Sequence, residues 1–415
     1  MKSLILNTYD AQGGAGIATY RIHRALRSFG IDSSMWVQNR KCDDYTVGGP
    51  TRWGRIPAYL RPHLDSLPNK FFKHTKPELF SAAWVPDRLL DKIESINPDL
   101  VHLFWMNAGF ARIETLGKIS QPVIWTLHDM WPFTGGCHYD DECGRFSDHC
   151  GRCPSIYSDK DADLSRRILD RKLTSWRDWR LTVVATSHWL ATQARSSKVF
   201  AERDIRVIPN AIDTDKYKPV SKELARTLFN LPQNKRIVMF SAFSATSHPR
   251  KGGHLLLPAI ERMARDHLHS DIELVIVGAS QPANPPDQGV PVHYMGQFAD
   301  EISQVVLYSA ADVLVAPSMQ ENLSNTVLES LSCGTPVVAF NIGGMPDMIT
   351  HRVNGYLATP FDTEDLASGI LWVLQSDAHI AQLSSQARLS VINHFSFPVI
   401  ARRYAELYEH VIDQH

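Results

Sequence analysis

Short apolar runs alternate with helical stretches along nearly the whole chain, and this alternation is its most constraining feature. Leu4-Ile5-Leu6 reads as a strand, the turn Gln12-Gly13-Gly14-Ala15-Gly16 follows, and a helical pattern runs from Ile17 to Phe29. Further strand signals fall at 34–37, 100–103, 123–127 and 181–185. Such runs, separated by helical crossovers, predict parallel sheets covered by helices. The series closes at Val207-Ile208-Pro209-Asn210, and a polar stretch from Asp213 to Asn234 with Pro219 and Pro232 comes next. A fresh series begins at Ile237 and continues at 274–277, 313–316 and 336–339. The 415 residues therefore fit two α/β domains, hinged near 215–235. The expected division is 1–215, 216–395 and a last helical segment, 396–415, that crosses back onto the first domain. Residues 40–85, rich in proline and aromatic side chains, read as an irregular excursion.

Composition narrows the function classes. Lys plus Arg (43) nearly cancels Asp plus Glu (44), so no global charge is available to hold a nucleic acid. No apolar run reaches the roughly eighteen residues of a membrane span. The first residues, Met1-Lys2-Ser3-Leu4-Ile5-Leu6-Asn7, turn polar too early for a secretory signal, and the expectation is a cytoplasmic protein.

The sharpest chemical signal is a pair of carboxylates, Glu321 and Glu329, placed after the strand that ends at Ala316-Pro317 and running into a helix of about Ser324 to Ser332. Ligands bind outside the carboxyl ends of strands in such sheets, and a helix N-terminus offers N–H groups and a positive dipole to a phosphate. Two solvated glutamates at chance spacing would look the same. The surrounding residues decide. The stretch Ala316-Pro317-Ser318, Glu321, Glu329 through Ala339, Gly343-Gly344-Met345-Pro346-Asp347 and Asn354-Gly355 resembles the family-4 retaining glycosyltransferases. So do Val207 to Asp213 with Tyr217 and Pro219, Gly13-Gly14-Ala15-Gly16, and Arg250-Lys251-Gly252.

The resemblance implies the GT-B architecture, two Rossmann-like domains facing across a cleft, with the donor mostly on the C-terminal domain and the acceptor mostly on the N-terminal one. It carries the diphosphate-binding lysine onto Lys251. Family members commonly place an Arg five residues before that lysine; Thr246 stands there, and Arg250 is assigned its role. The resemblance makes Gly13, Gly14 and Gly16 the loop where backbone nears the diphosphate. The glycine loop lacks the full G-x-G-x-x-G order, and no acidic residue ends the second strand, which argues against a dinucleotide oxidoreductase. After Glu321 the family commonly shows Gly-Phe-Gly, whereas this chain has Asn322-Leu323-Ser324 at the donor sugar and phosphate. Glu329 would hold the nucleotide ribose and Glu321 the donor sugar. His128, directly after the strand Val123–Leu127, matches a family histidine near the reacting carbon, although a structural histidine is the plain alternative at such an edge. Asp129 either orients His128 or binds the acceptor.

Cys137, Cys143, Cys150 and Cys153 are spaced C-x5-C-x6-C-x2-C. Four thiolates can close a tetrahedral structural zinc site, and that is the expectation, with an iron–sulfur cluster, reduced thiols, or disulfides in an exported chain, as the alternatives. The insert resembles that of transferases related to colanic-acid and exopolysaccharide synthesis. Residues 51–76 carry Arg52, Arg55, Arg61, Lys70, Lys73 and Lys76 among aromatic and aliphatic side chains. This suits a peripheral contact with the inner face of an anionic membrane, but the preferred reading is a partly buried, solvated irregular segment, since Pro57, Pro62 and Pro68 interrupt any helix.

The reading is a retaining glycosyltransferase that moves a sugar from a UDP- or GDP-sugar to a glycan or lipid-linked acceptor in polysaccharide biosynthesis. His128, Glu321 and Lys251 are its catalytic candidates, no metal or cofactor is required for catalysis, and no nucleic acid is a partner. Two rivals remain: a non-catalytic glycan-binding protein on the same fold, and a phosphorolytic or dehydrogenase-type enzyme on a similar two-domain fold.

Overall fold

The computed structural model describes residues 1–51, 54–72, 80–241, 249–265, 271–285, 287–298 and 300–415. Two compact units result: Met1–Ala211 with Phe397–His415, and Ile212–Ser396. The first holds the strands β1 (Lys2–Tyr9), β2 (Asp32–Asn39), β3 (Val47–Gly48), β4 (Leu100–Leu103), β5 (Val123–Leu127), β6 (Leu181–Ala185) and β7 (Ile205–Val207). Their order across the sheet is β3-β2-β1-β4-β5-β6-β7. The second unit holds β8 (Arg236–Ser241), β9 (Ile272–Val277), β10 (Val292–Tyr294), β11 (Val313–Ala316), β12 (Val337–Phe340) and β13 (Gly355–Ala358), in the order β10-β9-β8-β11-β12-β13. The pairings within both sheets are parallel.

The strand composition explains this arrangement. β4, β5 and β12 are buried along their whole length. A strand apolar on both faces needs helices on each side, which is the condition of a parallel sheet. Each sheet half then reverses its winding beside the first strand of the unit, so β1 and β4 in one unit and β8 and β11 in the other are neighbours across a switch point.

The glycine turn differs from its sequence reading. The first helix spans Gly13–Ser28, so Gly13, Gly14 and Gly16 form its opening turn and not a loop before it. A Cβ on Gly16 would stand 2.7 Å from the Asp10 carbonyl, so glycine is needed for the helix to start this close to the end of β1. The excursion 40–85 is also more regular than expected, with an α-helix at Arg55–Asp65 and a 3₁₀ turn at Leu67–Phe71. Pro57 sits in the first turn, where its missing N–H costs nothing. Pro62 lies inside the helix. Arg52, Lys73 and Lys76 of this segment, and Thr246, lie outside the described residues.

The C-terminal helix, Phe397–Asp413, buries Ile400, Ala401, Tyr404, Leu407, Tyr408 and Val411 in the first unit. A fully buried polar chain fixes it there. His102 Nδ1 meets the Tyr408 hydroxyl at 2.6 Å and His102 Nε2 meets Thr126 Oγ1 at 2.8 Å, while Thr126 Oγ1 lies 3.0 Å from the Tyr404 hydroxyl. The side chains of β4 and β5 are thus bonded to the last helix of the chain.

This unit should be acid-sensitive for a definable reason. Burial pulls His23 down to about 4, despite Asp44 nearby, and pulls His128 down to about 4, against Asp129; it holds His102 well below its ordinary value. Groups that resist protonation in the folded state stabilise fully above the unfolded histidine value near 6.5, and that stability is lost as pH falls from there toward 4. Urea unfolding at pH 7.5 and 5.0 should show a lower midpoint at pH 5.0, by roughly 1–2 kcal/mol for each such histidine. An unchanged midpoint would contradict the burial assignment.

Candidate active site

In the second unit the site grows from the ends of two adjacent strands. After β8 the chain reaches the turn Pro249–Lys251 and enters the helix Gly253–Arg265. After β11 it runs through 317–324 into the helix Asn325–Ser332, whose N-terminus is capped by Ser324 Oγ on the Val327 N–H. The two loops are stitched together. The Met319 N–H donates to the Arg250 carbonyl at 2.8 Å, and Arg250 Nη1 donates to the Gln320 carbonyl at 2.8 Å. Gly252 has φ +73°, and a Cβ there would lie 1.7 Å from the Pro317 carbonyl oxygen, so only glycine permits the approach.

That approach places charge. Lys251 Nζ lies 2.6 Å from Glu321 Oε2, and Arg250 Nη1 lies 3.5 Å from the same oxygen. Burial alone would raise the Glu321 carboxyl, but Lys251 first and Arg250 second hold it below the ordinary value. Glu321 is therefore an anchored carboxylate between two cations. Its backbone carbonyl accepts from the Gly344 N–H at 3.2 Å. Glu329 is buried separately on the helix, where the Tyr308 hydroxyl donates to its Oε2 at 2.9 Å. Leu323 packs its side chain into the hydrophobic core, and Asn322 is buried at 3% exposure. Arg250, Lys251 and Glu321 thus come together, while Leu323 and Ser324 spend their side chains on packing and capping.

In the first unit, His128 emerges from β5 half-buried, its ring edge-on to Phe104 at 5.6 Å. With its pKa near 4 the imidazole is neutral at pH 7. Asp129 carries a different network. Its carboxylate accepts from Trp105 Nε1 at 2.7 Å, from His138 Nδ1 at 2.6 Å and from the Trp131 N–H at 3.0 Å. Sequence reasoning missed Trp105 and Tyr308, and noted His138 only as a neighbour of the cysteines. Trp105 had a usable signal, since it follows β4 as His128 follows β5; Tyr308 had none.

Among the described residues no group of three or more His, Cys, Asp or Glu side chains is placed to hold a metal ion, and the four cysteines are free thiols. Cys137, Cys150 and Cys153 are buried in the hydrophobic core. Burial pushes the Cys150 thiol up to about 12 and raises Cys137 as well, and the neighbouring cysteines add to both shifts. Between Cys137 and Cys143 the chain makes a turn organised by Asp140, which accepts from the Gly144 N–H at 3.0 Å. The insert is stapled by other groups. Buried Lys172 bonds the carbonyls of Trp131 and Thr134 and lies 3.8 Å from the Trp131 ring centre, and Arg166 Nε donates to the Cys150 carbonyl at 2.6 Å.

Comparison with known proteins follows this geometry. The family model described as glycosyltransferase family 4 matches residues 12–216, and that described as glycosyl transferases group 1 matches 234–376. The fold is similar to sucrose-phosphate synthase from Thermosynechococcus elongatus, with TM-score 0.69, 19% identity and all of both chains covered. It is also similar to Anabaena HepE solved with UDP-glucose, with TM-score 0.65, 18% identity, and 99% of this chain and 100% of that one covered. The chain has the two Rossmann-like domains of the GT-B fold, and each is similar to a glycosyltransferase family model.

Among curated relatives, the D-inositol 3-phosphate glycosyltransferase of Corynebacterium jeikeium is 26% identical over 76% of this chain and 73% of its own length. The protein of that name from Saccharomonospora viridis is 29% identical over 44% of this chain, and the match spans 45% of its own length. In this GT-B chain the Lys251–Glu321 pair is the feature most open to measurement. A double-mutant cycle with Lys251→Met and Glu321→Gln, read by urea unfolding, should give a coupling of roughly 1–2 kcal/mol. Strict additivity would show that the pair is not formed.

Proposed function

We propose that this chain transfers a sugar from a UDP- or GDP-sugar to a hydroxyl of a glycan or lipid-linked acceptor, with retention at the anomeric carbon and without a catalytic metal, in polysaccharide assembly. The observation that carries this reading is the Arg250–Lys251–Glu321 cluster at adjoining strand ends, with Glu329 on the helix that follows. The fold shared with HepE, whose structure holds UDP-glucose, supports a nucleotide-sugar donor.

The chemistry follows from the charges. As the bond between the anomeric carbon and the phosphate oxygen breaks, its electron pair moves onto that oxygen. Lys251 and Arg250 stabilise the charge that develops there. The acceptor oxygen bonds the anomeric carbon from the face being vacated, and its proton passes to the departing phosphate. No strong protein base is then required. Neutral His128 positions the reacting groups by hydrogen bonding. Glu321, held ionised by the cations, contacts the sugar hydroxyls, and Glu329, oriented by Tyr308, holds the ribose hydroxyls. The opening turn of the helix Gly13–Ser28 offers backbone N–H groups to the diphosphate.

A membrane contact fits the same reading. Ile56, Tyr59, Leu60, Leu64 and Phe71 are exposed on the segment 55–71, and Arg55 and Lys70 are exposed beside them. Among the described residues no helix is long and apolar enough to cross a membrane. An amphipathic basic segment of this kind suits the surface of an anionic bilayer, where a lipid-linked acceptor is presented.

Calorimetric titration with UDP and GDP tests the donor side. Glu329→Ala should weaken the nucleotide that binds by ten-fold or more, the loss of a hydrogen bond to a charged group. His128→Ala should lower turnover about 10²-fold while nucleotide affinity stays within two-fold. Equal losses of turnover and nucleotide affinity in the His128 variant would make it a structural histidine, and a wild-type chain that binds neither nucleotide would overturn the reading.

A further inference from the structure

The network around Asp129 has no task in the donor chemistry, yet it is built with unusual completeness. Ser81 Oγ meets His138 Nε2 at 3.0 Å, His138 Nδ1 meets Asp129 Oδ2 at 2.6 Å, and Trp105 Nε1 donates to that same oxygen at 2.7 Å. Ser81, His138 and Asp129 are all at least nine-tenths buried. Trp105 is not; it is partly exposed. Its backbone is pinned as well, with its N–H on Asn7 Oδ1 at 2.8 Å and its carbonyl accepting from the Thr8 N–H at 2.9 Å. The indole stacks on Tyr9, ring centres 5.7 Å apart and planes 28° off parallel, and Tyr9 is partly exposed too. A chain of buried hydrogen bonds that ends in a rigid, partly exposed aromatic face is a costly arrangement unless the face is used.

Its place in the fold says for what. Tyr9 ends β1, Trp105 follows β4 and His128 follows β5, and these three strands are neighbours, so all three rings stand at the carboxyl edge of one sheet. A second observation at that edge points to the ligand's chemistry. Asp10 Oδ1, Gln38 Oε1 and Asn107 Oδ1 are buried acceptors with no donor among the described residues. They lie at the carboxyl ends of β1, β2 and β4. Buried acceptors are nearly always paired, and a missing partner costs about 1–3 kcal/mol. Three together at the ligand edge of a parallel sheet call for a ligand rich in hydroxyl donors, acting directly or through ordered water.

We infer that Trp105, backed by Tyr9, is the stacking face of a sugar subsite on the N-terminal unit, and that Asp129 and His138 are positioning residues that hold the indole for the acceptor's terminal hexose ring. This rests on the transferase reading for the word acceptor, but the subsite itself is testable without turnover. Methyl glucoside, methyl mannoside and methyl galactoside are the probes, with dissociation constants read by saturation-transfer NMR on the full chain. At least one should bind. Trp105→Ala should weaken that glycoside ten-fold or more, Trp105→Phe should stay within about three-fold, and Asp129→Asn should fall between them. Melting temperature and UDP titration on each variant separate a lost subsite from a lost fold. Unchanged binding by a folded Trp105→Ala, or no binding of any of the three glycosides to the wild-type chain, would overturn the subsite. A wild-type chain that binds a glycoside through Trp105 but consumes no nucleotide sugar would overturn the transferase reading and leave the subsite standing.

Discussion

Parallel pairing is the constraint on which everything else in this chain depends. It sends every strand of a unit in the same direction, so all carboxyl ends, and the loops that follow them, collect on one edge. Residues far apart in sequence then become neighbours. Lys251 and Glu321 are 70 positions apart and still meet at 2.6 Å, because one follows β8, the other follows β11, and those strands are paired. The same logic brings Tyr9, Trp105 and His128 to the edge of the first sheet.

Electrostatics then gives each edge its character. In the second unit two cations bracket one buried carboxylate, so the cluster keeps one positive charge in excess for an incoming phosphate. In the first unit burial keeps His128 neutral and lowers Lys172 to about 7, its amine bonded to backbone carbonyls, while the Asp129 carboxylate is held by Trp105, His138 and the Trp131 N–H. A cationic edge suits a departing diphosphate. An edge whose Asp129 carboxylate is already hydrogen-bonded behind an aromatic face suits an uncharged, hydroxylated partner.

Much of this was legible in the sequence, for a physical reason. Strands buried on both faces leave continuous apolar runs, so the central strands of both series could be read directly, as could the helix Asn325–Ser332, whereas the short strands β3, β10 and β13 left no such run. The Arg250-Lys251-Gly252 turn could be found because its glycine is demanded by geometry. The cysteine spacing gave ligand chemistry to thiols of which three, Cys137, Cys150 and Cys153, are also packed into the hydrophobic core. The segment 55–71 misled, because Pro57 at a helix start breaks nothing. Asp129 could not be assigned from its neighbours in sequence: its partner Trp105 lies 24 residues back on another strand end.

Hydrogen–deuterium exchange with and without UDP-glucose or GDP-mannose tests the central claim most directly, since it asks where a nucleotide sugar lands. The expected result is slowed exchange in the second unit, concentrated at 249–252 and 321–329, with one of the two donors. Unchanged exchange at both segments with both donors, while protection falls elsewhere in that unit, would contradict a donor site built from the ends of β8 and β11.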